Sequence, residues 1–281
     1  MAKKEKKDQY IIAYITDFDK TETVLSYATF LAYTLQKGLI ILHICDPRYS
    51  KLSTEQAEQY LKSLLPLGHK YASDVTATYA VLKGKTAEII TALPTLLGAV
   101  AIVAQVDVKA KRSNPQNRKT LLKNFSSCKT AFLVAQEPLR GDITDISMAV
   151  DFKKESKDKF IWSSYLPRFG GCRMHVLYYD YKDEFLKKKW YANMTQLHKL
   201  YTELGISFQP HIIESKSTFQ DINALRFSAD NDFGMMIAVT TKEKDGLEFF
   251  IGVQENRTIV NSFRIPILFL NQREDLYVLC D

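Results

Sequence analysis

Two aspartates occupy the same setting in opposite halves of the chain. Asp17 lies in ITDFDKTE (15–22) and Asp151 in AVDFKKES (149–156), each closing an apolar, β-like run and opening an amphipathic one. As a local device, a carboxylate at that junction accepts hydrogen bonds from the free N–H groups of a helix start and opposes the positive end of its dipole. Other groups suited to chemistry are sparse. The five histidines, His43, His69, His175, His198 and His211, include no pair at ligand spacing on one helix. His43 and His175 fall in strand-like runs, where a satisfied core or edge imidazole is the expectation. The four cysteines, Cys45, Cys128, Cys172 and Cys280, show no C-x-x-C spacing; three sit in or beside apolar runs, where a reduced thiol packs as a small hydrophobe. There is no G-x-S-x-G elbow, no H-E-x-x-H and no G-x-x-x-x-G-K-S/T loop, so no motif marks a catalyst and a non-enzyme is expected.

The separation of the two aspartates, 151 − 17 = 134 residues, is kept by other landmarks. LIILHICD ends at Asp46 and MHVLYYD at Asp180; AIVA ends at Ala104 and MMIA at Ala238, again 134 apart. TAFLVAQ and PILFLNQ end at Gln136 and Gln272, where the spacing has drifted to 136. A duplication follows, with one copy over 10–137 and the other over 144–281, joined through QEPLRGDI (136–143) with its Pro138 and Gly141. The 281 residues, 46% hydrophobic, are enough for two cores.

A formal net charge of +6 comes partly from the first nine residues, where Lys3, Lys4, Lys6 and Lys7 face Glu5 and Asp8 in a tail expected to be disordered. A second basic stretch runs from Lys109 to Lys123. No aromatics interleave with its cations, so nucleic acid is not an expected partner. No apolar core follows the basic start, which leaves no signal peptide and a cytoplasmic expectation. Ile89 to Val106 is free of charge, but Pro94 and Gly98 interrupt it, so a buried helix and a strand are expected there rather than a membrane span.

Short β-rich runs alternate with helical stripes in each half, the pattern of parallel strands joined by crossover helices. In the first half, strands are expected at 10–15, 39–45, 75–81, 100–104 and 131–135. The intervening helices carry Val24, Ala28, Leu31 and Leu35 up to a stop at Gly38, then 54–67, 86–96 and 119–125. In the second, strands are expected at 146–150, 174–179, 207–213, 234–240 and 265–270, with a long helix bearing Leu186, Trp190, Met194, Leu197, Tyr201 and Leu204. The fold class is therefore α/β, two tandem doubly wound parallel five-stranded sheets, whose ligand sites lie beyond the carboxyl ends of the strands. The tail DLYVLCD (275–281) alternates like a further strand.

The strand ending in Val-Asp-Phe before a helix, the LHI of the second strand and the five β/α steps resemble a tandem universal stress protein over nearly the whole chain after residue 9. The resemblance implies strand order 3-2-1-4-5, two lobes paired by a pseudo-two-fold as a dimer would be, and a part in stress response. Many members bind an adenine nucleotide with an aspartate after the first strand and a Gly-x2-Gly-x9-Gly-Ser/Thr loop after the fourth. Glycines there let backbone N–H groups approach phosphate, and the next helix presents its positive end. Asp17 and Asp151 match the aspartate. The first-half loop segment, AQVDVKAKRSNPQNRKTLLKNF, has no glycine, so it is expected to lack the cradle and to be mobile and open to water. The second-half segment keeps Gly246 and Gly252, but Val253 replaces the hydroxyl residue. The expectation is a binding or regulatory protein with degenerate nucleotide sites, acting through an unknown protein partner or small ligand. One alternative keeps a weak site for ATP or another adenine nucleotide, binding or hydrolysing it, in the second lobe around Asp151, Gly246, Gly252 and Val253. Another is an unrelated flavodoxin-like enzyme. No metal or membrane is expected, and assembly of such pseudo-dimers into homo-oligomers stays open.

Overall fold

The computed structural model describes residues 8–71, 74–107, 109–111, 114–125, 128, 130–152, 156–213, 220–239 and 258–271. The chain divides into two compact units, Met1–Leu139 and Arg140–Asp281.

The first unit runs β1 (Tyr10–Tyr14), α1 (Thr21–Leu35), β2 (Gly38–Cys45), α2 (Thr54–Tyr71), β3 (Ala77–Lys83), α3 (Thr86–Leu97), β4 (Ala99–Gln105), α4 (Arg118–Phe125) and β5 (Ala131–Ala135). Its strands are all parallel in the order β3-β2-β1-β4-β5. Parallel neighbours require a crossover, and the helices supply it. β1, β2, β4 and β5 are buried along almost their whole length, because helices cover both faces of such a sheet. The edge strand β3 is half-buried to exposed. From β1 the chain steps to β2 and β3 on one side, then returns to lay β4 on the other. The switch point therefore falls between β1 and β4, where loops diverge and leave a crevice.

The second unit runs β6 (Asp145–Val150), α5 (Ser156–Gly170), β7 (Arg173–Tyr179), α6 (Glu184–Glu203), β8 (Phe208–Ile213), α7 (Gln220–Asp230), β9 (Met235–Val239) and β10 (Ile267–Leu270). Its order, β8-β7-β6-β9-β10, is the same 3-2-1-4-5 arrangement, again all parallel. Strand ends keep the repeat: β2 and β7 end at Cys45 and Tyr179, and β4 and β9 at Gln105 and Val239, both pairs 134 apart (179 − 45 and 239 − 105).

Local details differ from expectation for identifiable reasons. α1 is not stopped by Gly38. Gln36 takes the left-handed conformation at φ 53° and its N–H reaches the Ala32 and Tyr33 carbonyls, while Gly38 opens β2. A Cβ there would lie 2.7 Å from the Tyr10 ring, so the glycine serves strand packing. α2 continues past Leu67 to Tyr71 with Pro66 inside it, and β3 begins at Ala77 rather than at residue 75. Pro94 is carried within α3, and Gly98 alone ends that helix, at φ 64° with its N–H on the Leu93 carbonyl. A side chain at Gly98 would also overlap the Asp8 carbonyl oxygen. Among the described residues no helix is long and apolar enough to cross a membrane. The 275–281 stretch lies outside the described residues.

Candidate functional site

A cleft of about 380 Å³ opens at the carboxyl ends of the first-unit strands, lined by Tyr14, Thr16, Asp17, Phe18 and Asp19 after β1, by His43 and Ile44 of β2, and by Tyr49 to Leu52 in the loop that follows. Tyr60 of α2 and Asn114, Pro115 and Gln116 of the loop after β4 complete the lining. The cleft thus gathers loops on both sides of β1. That is where the strand order reverses.

One wall is aromatic. Phe18 sits between the His43 imidazole, at 5.0 Å between ring centroids, and the Tyr60 ring at 4.8 Å. Tyr60 is half exposed and lines the cleft. His43 is fixed from both ring nitrogens: Nδ1 lies 2.8 Å from the Ile15 carbonyl oxygen and Nε2 3.0 Å from Ser50 Oγ. Because a carbonyl only accepts, Nδ1 carries the proton and Nε2 of the neutral ring accepts from the Ser50 hydroxyl. Burial pushes the His43 pKa down, with the Ile15 bond opposing, which favours the neutral ring. The strand histidine is thus buried and bonded at both ring nitrogens, as the sequence leads one to expect, and one of those bonds goes to a residue that lines the cleft.

Asp17 caps the short 3-10 turn Phe18–Lys20, accepting from the Asp19 N–H at 3.0 Å, and it also lines the cleft. Its capping role and its place at the cleft coexist.

The loop bearing Ser50 is anchored by Asp46, 1% exposed. Its carboxylate accepts from the Thr86 N–H and hydroxyl at 2.7 and 2.9 Å, and from the Arg48 N–H, Nε and Nη2 at 3.0, 2.9 and 2.6 Å. The Arg48 guanidinium holds this carboxyl well below the usual range, against the opposing effect of burial and with the Thr86 and Arg48 backbone N–H groups assisting. Its backbone carbonyl accepts from the Tyr49 and Ser50 N–H groups, closing the turn that lays Ser50 on His43.

In the glycine-free loop after β4, Lys109 and Lys111 are exposed, as expected of a loop open to water, while polar side chains bond along its described part. Asn114 Oδ1 accepts from Gln116 N–H at 2.8 Å, Asn117 Nδ2 donates to the Ala110 carbonyl at 2.7 Å, and the Gln116 carbonyl accepts from Asp107 N–H at 3.1 Å. Gln116 is 3% exposed and reaches Gln105 at the end of β4. Side-chain amides bond this loop to its own backbone, and Asn114, Pro115 and Gln116 form a rim of the cleft.

In the second unit, Asp151 follows β6 as Asp17 follows β1, and its carbonyl accepts from Asn193 Nδ2 at 2.9 Å. Phe152 beside it meets Tyr181 edge-on at 5.4 Å. Gly246, Gly252 and Val253 lie outside the described residues. Asp180, the counterpart of Asp46, is exposed, so the anchored loop belongs to the first unit. At the opposite ends of these strands, side chains from three strands form a chain the sequence did not reveal. Asp145 receives two bonds from Arg173, at 2.7 and 2.6 Å, and one from His175 Nε2 at 2.8 Å. His175 Nδ1 meets His211 Nε2 at 2.9 Å. The histidines are 36 residues apart and face one another only because β7 and β8 pair, so no helical spacing could disclose them. Phe227 and Phe233 pack on the rings. No group of three or more metal-binding side chains exists among the described residues.

Ser50, Tyr60 and Asn114 were invisible as site residues in the sequence, since each is brought in by a loop or helix that no motif marks. The only available signal was the loop DPRYS directly after the repeat-marking Asp46.

No family model matches the chain, and no curated protein matches it by sequence. Solved structures do. A universal stress protein from Archaeoglobus fulgidus shares 14% identity at a TM-score of 0.64, covering 95% of this chain and 97% of its own. A putative universal stress protein from Pseudomonas aeruginosa shares 15% identity at a TM-score of 0.64, covering 94% of each chain. A functionally unknown protein from the same species, 16% identical, reaches a TM-score of 0.63 over 94% of this chain and 93% of its own. At such identities the likeness is one of fold, and it spans both units: the chain has the tandem universal stress protein fold, α/β with parallel sheets of order 3-2-1-4-5.

Proposed function

We propose that this is a regulatory binding protein of the stress-response type whose working site is the first-unit cleft, and that the cleft takes a planar ligand of nucleoside size bearing little negative charge. The observation that carries the reading is the cleft itself, placed at the switch point of the sheet with an aromatic wall and convergent polar edges. Its volume of about 380 Å³ lies in the range of small-molecule sites. A flat ring stacks on exposed Tyr60, while the Asn114 amide and the Asp17 carboxylate meet the hydrogen-bonding groups at its edge. Polyphosphate is disfavoured, because two carboxylates, Asp17 and Asp19, share the lining with one lysine, Lys51, and the loop after β4 has no glycine to bring backbone N–H groups close.

Calorimetric titration of adenosine and of ATP into the full chain tests this. Adenosine is expected to bind and ATP to bind at least about tenfold more weakly, one factor of ten being about 1.4 kcal/mol; Tyr60→Ala is expected to remove most of the adenosine affinity. ATP binding as tightly as adenosine, or adenosine binding unaffected by Tyr60→Ala, contradicts the assignment.

A further inference from the structure

We infer that Ser50 is a nucleophile and that the first-unit cleft transfers acyl groups from small aryl esters to water, with His43 as its base. The inference rests on the reading of the cleft as a site for planar ligands, and adds a reaction to it.

The geometry is that of an activated hydroxyl. A nucleophile needs a base within hydrogen-bond reach and a third group that orients the base. Ser50 Oγ is 3.0 Å from His43 Nε2, and the Ile15 carbonyl, 2.8 Å from Nδ1, fixes the ring. The carbonyl dictates the tautomer that leaves Nε2 free to take a proton. Ser50 is half-buried and lines the cleft, its oxygen also accepting from the Leu52 N–H at 3.4 Å, while His43 is 5% exposed. Its position does not depend on flexible backbone, because Asp46 ties the turn to the start of α3 through Thr86. Two residues with side-chain donors line the same cleft, Lys51 with its ammonium and Asn114 with an amide whose oxygen accepts from the Gln116 N–H, leaving the nitrogen as its donor. They are the groups suited to oppose charge on a carbonyl oxygen. A second base with an orienting carboxylate among the described residues, His175 with Asp145, lacks this arrangement. The next group along is His211 rather than a hydroxyl, and the nearby Cys172 thiol donates to the Ile143 carbonyl with its pKa pushed up to about 11 by burial, then by Asp145.

In the first step Ser50 Oγ forms a bond to the ester carbonyl carbon, its proton passes to His43 Nε2, and the bond from that carbon to the aryl oxygen breaks. The aryl oxide leaves with the proton from Nε2 and its ring lies against Tyr60. In the second step water gives a proton to Nε2 and its oxygen bonds to the acyl carbon; the bond to Oγ breaks and the proton returns to Oγ. Ester and water become acid and phenol with no other reactant.

The test uses the full chain with p-nitrophenyl acetate, read by release of nitrophenolate and by peptide mass spectrometry of the protein quenched early in the reaction. One acetyl group on Ser50 is expected. Ser50→Cys is expected to keep the label, Ser50→Ala to lose it, and His43→Gln to slow release by about a hundredfold or more, the usual contribution of a general base. Acetyl found only on lysines of the unaltered protein overturns the inference without reference to any variant, as does equal release by the unaltered protein and Ser50→Ala. Titration with p-nitrophenol separates the two readings. Binding that Tyr60→Ala weakens, with no acetyl on Ser50, removes the reaction and leaves the binding site; absence of both binding and acetyl removes the cleft as the site altogether.

Discussion

Replacing Asp46 with alanine tests whether a single buried carboxylate organises the carboxyl end of the first-unit sheet. The substitution leaves the Thr86 N–H and hydroxyl without their acceptor, and Thr86 is 0% exposed. Each buried donor left unpaired costs about 1–3 kcal/mol, so about 2–6 kcal/mol of local stability is expected to go for the two. Arg48 is the contrasting case. Its side chain is 51% exposed, so solvent screens the ion pair and Arg48→Ala is expected to cost under about 1 kcal/mol. Both tryptophans, Trp162 and Trp190, lie in the second unit, and fluorescence melts would miss the event. Hydrogen exchange read by peptide is the suitable assay. At neutral pH, Asp46→Ala is expected to lower protection in β2 and β3 by at least about thirtyfold, while β6 and β7 stay unchanged. Acid is a control with a definite sign. The folded pKa of Asp46 is depressed, so its contribution is complete above the unfolded value of about 3.9 and is lost as pH falls through the folded one. The gap between the two proteins should therefore close in strong acid. A loss under about threefold at neutral pH, or an equal loss for Arg48→Ala, refutes the reasoning.

Three further outcomes are expected. His43 and His211 both have pKa values lowered, chiefly by burial; the unfolded chain then binds more protons below about pH 6.5, so stability should fall as pH drops through that value. Thermal melts across the range check it, with a flatter profile expected for His211→Gln and an unchanged profile counting against it. Gly98→Ala should destabilise the first unit by about 1–3 kcal/mol, because φ is 64° and the new carbon meets the Asp8 carbonyl; urea titration followed by circular dichroism measures it, and a neutral result would show that the helix end relaxes freely. Tyr201→Phe removes a 2.8 Å bond to Ser163, whose hydroxyl also bonds the Lys159 carbonyl. About 1 kcal/mol should be lost, against about 3–5 for Tyr201→Ala, and comparable losses would mean the ring contributes little beyond its hydroxyl.

The repeat was legible because parallel strands buried on both faces are written as continuous apolar runs, and those runs end at matching residues in the two halves. Strand order could not be read from periodicity; it came from resemblance and was met in both units. The candidate site was legible only at Asp17, which the sequence placed at the end of β1. Ser50 meets His43 through a turn held by Asp46 and Thr86, contacts 40 residues apart that leave no pattern in the chain. The bonds within the loop after β4, from the Asn114 and Asn117 side chains to nearby backbone and from Gln116 to Gln105, likewise leave no pattern in the sequence. The His175–His211 pair is hidden for a related reason: it forms across neighbouring strands, where no spacing along one helix marks it.

The most direct test of the central claim is a crystal structure of the full chain soaked with adenosine. The account predicts ligand density in the first-unit cleft, its ring against Tyr60 and its edge near Asn114 and Asp17. Ordered adenosine at the second unit beside Asp151, with the first-unit cleft holding only water, contradicts it.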